Sequence, residues 1–221
     1  LTHGVTSTSS ALVYRDLPGA LNESFSDVFG IFIANWFPAG PNPIHGWEWE
    51  IGKGLGENGG PLRNFADPSA AGQPDHMDQY TPLPEYEDHG GVHIYSGIHN
   101  RAVHRLLTTM DANAEPVIPT TEAARLLYLT LIRLAPTSDF SAARRTLTSA
   151  SSQIWSSAKP PTASKASRRR IPMVPQKMMA LVERLAGHGG ATREAVRKET
   201  AKPKPGRPKH FVFNFKAPTK T

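Results

Sequence analysis

Cysteine is absent from this 221-residue chain. That excludes disulfides and thiolate metal ligands, and it leaves His, Asp and Glu as the strong ligands open to a metal. No apolar run approaches the about eighteen consecutive residues of a membrane span, so a transmembrane helix is not expected. A start methionine is missing too, because the chain opens at Leu1, and no signal peptide is visible. The expectation is an internal piece of a longer protein. Acidic residues are scarce at one end. Residues 156–221 hold 3 Asp and Glu against 16 Lys and Arg, whereas residues 1–155 hold 16 against 9. The overall charge of +6 therefore hides an acidic part and a strongly basic part. The reversal falls at SSAKPPTASKASRRR, a Pro/Ser/basic stretch of linker composition.

What is there is an ordinary 38% of hydrophobic residues, enough for one cored domain plus an appendage. In GALNESFSDVFGIFIANWF, apolar side chains recur at Leu21, Phe25, Val28, Phe29 and Phe32, the spacing of a helix with one wide buried face. From Phe37 to Tyr86 the chain is crowded with Gly, Pro, Asn and Asp, and a long irregular excursion is expected there. Excursions of that length in a compact domain tend to be functional or ion-stabilised. GGVHIYSGIHNRAVHRLLTTM resumes helical spacing through Val92, Ile98, Val103, Leu106 and Leu107. TTEAARLLYLTLIRLA predicts a helix capped by its threonines, and DFSAARRTLTSASSQIW another capped by Asp139 or Ser141. No internal repeat is found, and the fold class is mainly α. The expected division is a folded domain over 1–155, a linker over 156–174 and a basic extension over 175–221.

Glu23 and Asp27 stand four apart, so their carboxylates leave the same helix face one turn apart. Taken singly they read as solvated charges, and His3 as a surface histidine. Together the pieces carry more. Leu1-Thr2-His3 has the form of the last three residues of His-Glu-x-x-His, and Asn22-Glu23-x-x-Ser26-Asp27 follows. Then come Leu12-Val13-Tyr14, Gly19-Ala20-Leu21-Asn22-Glu23, Trp49-Glu50-Ile51-Gly52, Leu62-Arg63 with Asp67-Pro68, Pro74-Asp75-His76, Asp88-His89-Gly90-Gly91-Val92-His93 and Ser96-Gly97-Ile98-x-Asn100. In order and spacing over about residues 1–155, this pattern resembles the thermolysin family of neutral zinc metalloproteases.

The resemblance implies the helical C-terminal lobe of a zinc-dependent metalloendopeptidase. It implies His3 and Glu23 as zinc ligands and Asp27 as the carboxylate that orients a ligating imidazole. Two imidazoles and a carboxylate leave zinc an open position, where water becomes a nucleophile near neutral pH. By the same resemblance Tyr14 and His93 donate to the oxygen that gains charge during peptide hydrolysis, and Asp88 holds His93 in orientation. Arg63 hydrogen-bonds a substrate carbonyl, and Leu62 lines the pocket for the side chain after the scissile bond. His45, His76, His89, His99 and His104 are expected in surface or structural roles. Gly90-Gly91 is expected to be a tight turn that positions His93.

Three departures qualify the expectation. The first zinc-binding His and the general-base Glu would precede Leu1, so this chain alone is expected to be inactive, and the N-terminal lobe of the same enzyme is its expected partner. Ala34 and Lys53 stand where the calcium-binding branch carries acids, so a Ca²⁺ site is doubtful. The basic extension has two short helical patterns with a Gly-rich turn, like half of a winged helix-turn-helix, and Pro205-Gly206-Arg207-Pro208-Lys209 is loosely like an AT-hook. The alternative function is thus an inactive fragment or interaction protein whose basic tail binds nucleic acid. The family otherwise implies a peptide or protein substrate, no membrane, and a secreted bacterial enzyme.

Overall fold

The computed structural model describes residues 1–36 and 44–156. The expected linker beyond Ser156 and the basic extension, with its helix-turn-helix-like and AT-hook-like stretches, lie outside the described residues. Five helices carry the fold: α1 (Thr2–Thr8), α2 (Asp16–Trp36), α3 (Asp88–Thr108), α4 (Thr120–Leu131) and α5 (Phe140–Ser156). Between α2 and α3 run 3₁₀ turns at Ile44–Gly46, Glu57–Gly59, Pro68–Ala71 and Met77–Gln79. The same stretch holds a minimal antiparallel hairpin of β1 (Glu50–Ile51) and β2 (Arg63–Asn64), in register Glu50 opposite Asn64. The mainly α architecture and the irregular excursion match the sequence reading.

α2 is the central element. Leu21, Phe25, Val28 and Phe32 are buried as their spacing requires, while Phe29 is only partly covered. The helix starts at Asp16, earlier than the apolar pattern suggested, because Pro18 in a first turn has no bonded N–H to lose. α3 packs along α2 with Val92, Ile98, Val103, Leu106 and Leu107 buried. Their approach is close at Gly19, where an added Cβ would collide with the Val92 side chain. Leu126, Leu127 and Leu131 of α4 and Ala143 and Ala150 of α5 complete one core with Trp47 and Phe65 from the excursion. Burying a side chain of this size contributes about 1.5–3 kcal/mol, which is what holds the irregular stretch against the helices.

Two end signals differ from expectation. Pro119, not a threonine, occupies the N-cap of α4, and no side chain caps that end. The helix also stops at Leu131 rather than Ala135. Arg133 and Leu134 already form i to i+3 turns, and Pro136 keeps the residue before it out of the helical region. At α5 the expected cap is present: Asp139 Oδ1 accepts from the Ala142 N–H at 2.7 Å. Among the described residues no helix is long and apolar enough to cross a membrane.

Candidate active site

The site gathers at the N-terminal halves of α2 and α3. Glu23 leaves α2 with only 5% of its surface exposed, and three polar groups converge on its carboxylate. His3 of α1 places Nε2 3.6 Å from Oε1. Tyr14, in the link between α1 and α2, donates its hydroxyl to Oε1 at 2.5 Å. His93 of α3 places Nε2 3.3 Å from Oε2 and 3.3 Å from the Tyr14 oxygen. Beside them opens a cavity of ≈ 520 Å³ lined by His3, Ser7, Ala11, Leu12, Tyr14 and Asn22.

Each histidine is oriented from its far side. His3 Nδ1 meets Asn22 Oδ1 at 2.8 Å; an amide oxygen only accepts, so Nδ1 carries a proton, and Nε2 faces Glu23. Asp88 does two jobs for His93. Its Oδ1 accepts from His93 Nδ1 at 2.6 Å, and its Oδ2 accepts from the His93 and Ile94 backbone N–H groups at 2.8 and 3.3 Å. These are orphan donors at a helix start, so the carboxylate caps the right-handed part of α3 while it fixes the ring.

That geometry needs the turn before Val92. Asp88, His89, Gly90 and Gly91 all have positive φ (51, 51, 82 and 86°). A Cβ on Gly90 would meet the Asp16 carboxylate, and one on Gly91 the Tyr95 ring at 2.5 Å, so both positions need glycine for conformation and for space. Buried Gln73 secures the next turn by donating to the His93 carbonyl at 2.5 Å.

Electrostatics follow from these contacts. The Asp88 hydrogen bond holds His93 above its ordinary pKa, against partial burial and with help from Glu23. Partial burial alone would raise Asp88, but its bonds from His93 hold it below the usual carboxylate range. Burial and the Glu23 hydrogen bond push the Tyr14 phenol upward, so it remains a donor.

One turn along α2, Asp27 is equally buried but differently surrounded. Arg63 of β2 forms an ion pair with it, Nη2 donating to Oδ1 at 2.8 Å and Nε lying 2.6 Å from Oδ2 without a hydrogen bond of its own, and Asn100 donates to Oδ2 at 2.9 Å. Burial pushes the Asp27 carboxyl up, and Arg63 and Asn100 oppose it. Among the described residues no imidazole reaches Asp27. Leu62 precedes Arg63 and is 42% exposed.

The structure thus brings His3, Tyr14, Glu23, His93 and Asp88 into one cluster, and Asp27 with Arg63 into an adjacent one. The sequence reading gave no role to Asn22, Gln73, Ser24 or Asn100. Asn22 and Asn100 do lie inside the quoted motifs, and their pairing across the fold is what remained hidden. His89, expected to be peripheral, sets its ring 5.6 Å from Tyr14. His76 caps a 3₁₀ turn. Burial lowers His99 and His104 to about 4, in keeping with structural roles. Among the described residues no group of three or more His, Asp or Glu stands ready to hold a metal. Lys53 lies 3.5 and 3.6 Å from Glu48 and Glu50, placing an ammonium between those carboxylates.

Residues 10–167 match the family model for the thermolysin metallopeptidase α-helical domain. The chain is 36% identical over 160 residues to bacillolysin of Bacillus amyloliquefaciens, covering 71% of this chain and 27% of that protein. It is 37% identical over 164 residues to thermolysin of Alicyclobacillus acidocaldarius, covering 71% and 28%. Among solved structures it is similar to the precursor of protealysin, a metalloproteinase from Serratia proteamaculans, with TM-score 0.60 and 32% identity over 83% of this chain and 54% of that one. The chain spans about a quarter of the length of such curated relatives. Its match to that family model over 158 consecutive residues makes it a member of the thermolysin metallopeptidase family, represented here by the α-helical domain.

Proposed function

We propose that this chain supplies the helical wall of the active site of a secreted bacterial zinc metalloendopeptidase, and that the N-terminal lobe of the same enzyme supplies the other wall. The observation that carries the reading is Glu23, buried yet faced by three half-exposed groups, His3, Tyr14 and His93, of which His3 and Tyr14 line the adjoining cavity. His3 Nε2 and Glu23 Oε1 are 3.6 Å apart. Two ligands with bonds of about 2.0–2.2 Å to one tetrahedral zinc ion stand at nearly that separation, so the pair fits as two of three protein ligands. Zinc bound there would lower the pKa of water and polarise a peptide carbonyl.

The chain's own residues do the rest. Asn22 keeps the His3 proton on Nδ1, which leaves Nε2 as the donor atom toward the metal. Tyr14, held neutral, and His93, whose protonated form Asp88 favours, would present two donors 3.3 Å apart to the oxygen that gains charge as the carbonyl is attacked. Arg63 would turn its guanidinium to a substrate carbonyl while Nη2 stays hydrogen-bonded to Asp27. Exposed Leu62 lines the pocket for the following side chain, which favours cleavage before bulky apolar residues. Asp27 would also accept from the first zinc-binding imidazole. That imidazole and the general-base Glu are expected from sequence outside this chain, so the chain alone is expected to be inactive. The Lys53 ammonium between Glu48 and Glu50 favours the doubt about calcium, since a cation already offsets those charges.

The test is His93→Ala in the natural full-length protein. Peptidase turnover falls by about a hundredfold, the scale of losing one oxyanion donor, while zinc content is unchanged. Full activity in that variant would overturn the role given to His93. A second reading rests on the basic charge of residues 156–221: the tail binds nucleic acid. It predicts DNA affinity that falls steeply with salt, and salt-insensitive or absent binding would remove it.

A further inference from the structure

Beneath Asp27 a second hydrogen-bonded series runs between α2 and α3. His99 Nδ1 lies 2.7 Å from Ser24 Oγ, Ser24 donates to Asn100 Oδ1 at 2.6 Å, and Asn100 Nδ2 donates to Asp27 Oδ2 at 2.9 Å. Ser24, Asn100 and Asp27 are at most 5% exposed. The direction of every proton in the series follows from its ends. A carboxylate only accepts, so Asn100 must turn its amide nitrogen to Asp27 and its oxygen to Ser24. The single Ser24 proton is then spent on Asn100, so His99 must donate from Nδ1. Burial keeps that ring in its neutral form, which can carry the proton on that nitrogen.

The series has a mechanical consequence. Carboxylate and amide groups turn on a broad, two-fold terminal torsion, and a hydroxyl is a free rotor. Each of these soft torsions is pinned by the next: the Asp27 plane by Asn100, the Asn100 plane by Ser24, the Ser24 hydroxyl by His99. The series ends in a rigid ring. His99 lies 5.0 Å from the Phe25 ring and parallel to Phe140, 6.1 Å away and tilted by 11°. Because Arg63 Nη2 donates to Asp27 Oδ1 while the buried Nε lies 2.6 Å from Oδ2, the carboxylate constrains the guanidinium.

We propose that His99, Ser24 and Asn100 are positioning residues that orient the Arg63 guanidinium through Asp27. Their substrate-level effect rests on the role proposed for Arg63 above; the structural effect does not. The test therefore has two arms in the natural full-length protein. In the first, solvent exchange of the Arg63 Nε–H is followed by NMR. Exchange accelerates about tenfold in Ser24→Ala and Asn100→Leu, since each strands a buried partner, and returns to the wild-type rate in Ser24→Thr, which restores the hydroxyl. In the second, peptide KM rises about tenfold in the same two variants with kcat within about twofold, because a carbonyl hydrogen bond held equally in ground and transition states is lost. Melting temperature identifies any variant that fails to fold, and Ser24→Thr against Ser24→Ala then decides alone. Unchanged Arg63 exchange in Ser24→Ala and Asn100→Leu overturns the proposal, as does Ser24→Thr behaving like Ser24→Ala. A wild-type protein that cleaves no peptide defeats the peptidase reading while the exchange arm still decides the positioning claim.

Discussion

Glu23 and Asp27 sit one turn apart on α2, each with 5% of its surface exposed, yet they occupy opposite kinds of surroundings. Around Asp27 the partners among the described residues are buried or nearly so, and a permanent cation and an amide pair with the carboxylate. Around Glu23 the partners are half-exposed, come from a short helix, a link and a helix start, and include no permanent cation. Burial of a carboxylate therefore does not distinguish scaffold from site. The state of its partners does: an acid paired with a buried permanent cation belongs to the scaffold, and an acid faced by half-exposed groups without one is open to a ligand.

Removing each acid in turn should separate the two most clearly. Asp27→Leu leaves the Arg63 charge buried without its partner and lowers stability by about 3–5 kcal/mol in a urea titration, whereas Glu23→Gln changes it by less than about 1 kcal/mol. Equal losses would erase the distinction.

The next effect is pH dependence. Burial lowers His99 to about 4, below the ordinary 6.5, so between those values the unfolded chain binds a proton that the folded chain does not. Stability is then present above about pH 6.5 and declines as pH falls toward 4, by up to about 3 kcal/mol for this residue. His104, also lowered to about 4, acts in the same direction. His93 acts oppositely, because its raised value adds stability at low pH. His99→Phe should flatten the slope of urea midpoint against pH over this window; an unchanged slope would show that His99 does not titrate as its burial requires.

The smallest effect belongs to the open end. Asp88→Asn keeps an acceptor for the backbone N–H groups of α3, so stability moves by less than about 1 kcal/mol, while the His93 pKa falls because a neutral amide replaces the carboxylate. A proton NMR titration of the His93 ring reads this directly, and an unmoved pKa would contradict the Asp88 assignment.

How far the sequence carried the account differs between the same two regions. The apolar faces of α2 and α3 were legible because their periodicity is local, and so was the Asp139 cap. His3, Tyr14, Glu23, Asp88 and His93 were legible as a set only through their order and spacing in a family pattern. Nothing local in a link residue such as Tyr14 points to a carboxylate nine positions on. The Arg63–Asp27 pair spans 36 positions and the Asn100–Asp27 bond spans 73, so both depend on how the excursion and α3 settle against α2. Ser24 and His99 were hidden for the same reason, since each alone is an ordinary polar residue on a helix. The threonine cap expected at α4 failed because Pro119, with its fixed φ, already provides the entry to the helix.

On the proposed function, the Glu23 end of α2 holds a metal. The most direct measurement is the zinc content of the natural full-length protein, purified in parallel as wild type and as Glu23→Ala, with helical content followed by circular dichroism. One zinc per wild-type chain is expected, and less than about a tenth of that in Glu23→Ala at unchanged helicity, since a lost ligand costs affinity by orders of magnitude. Full zinc occupancy in a folded Glu23→Ala protein would contradict it.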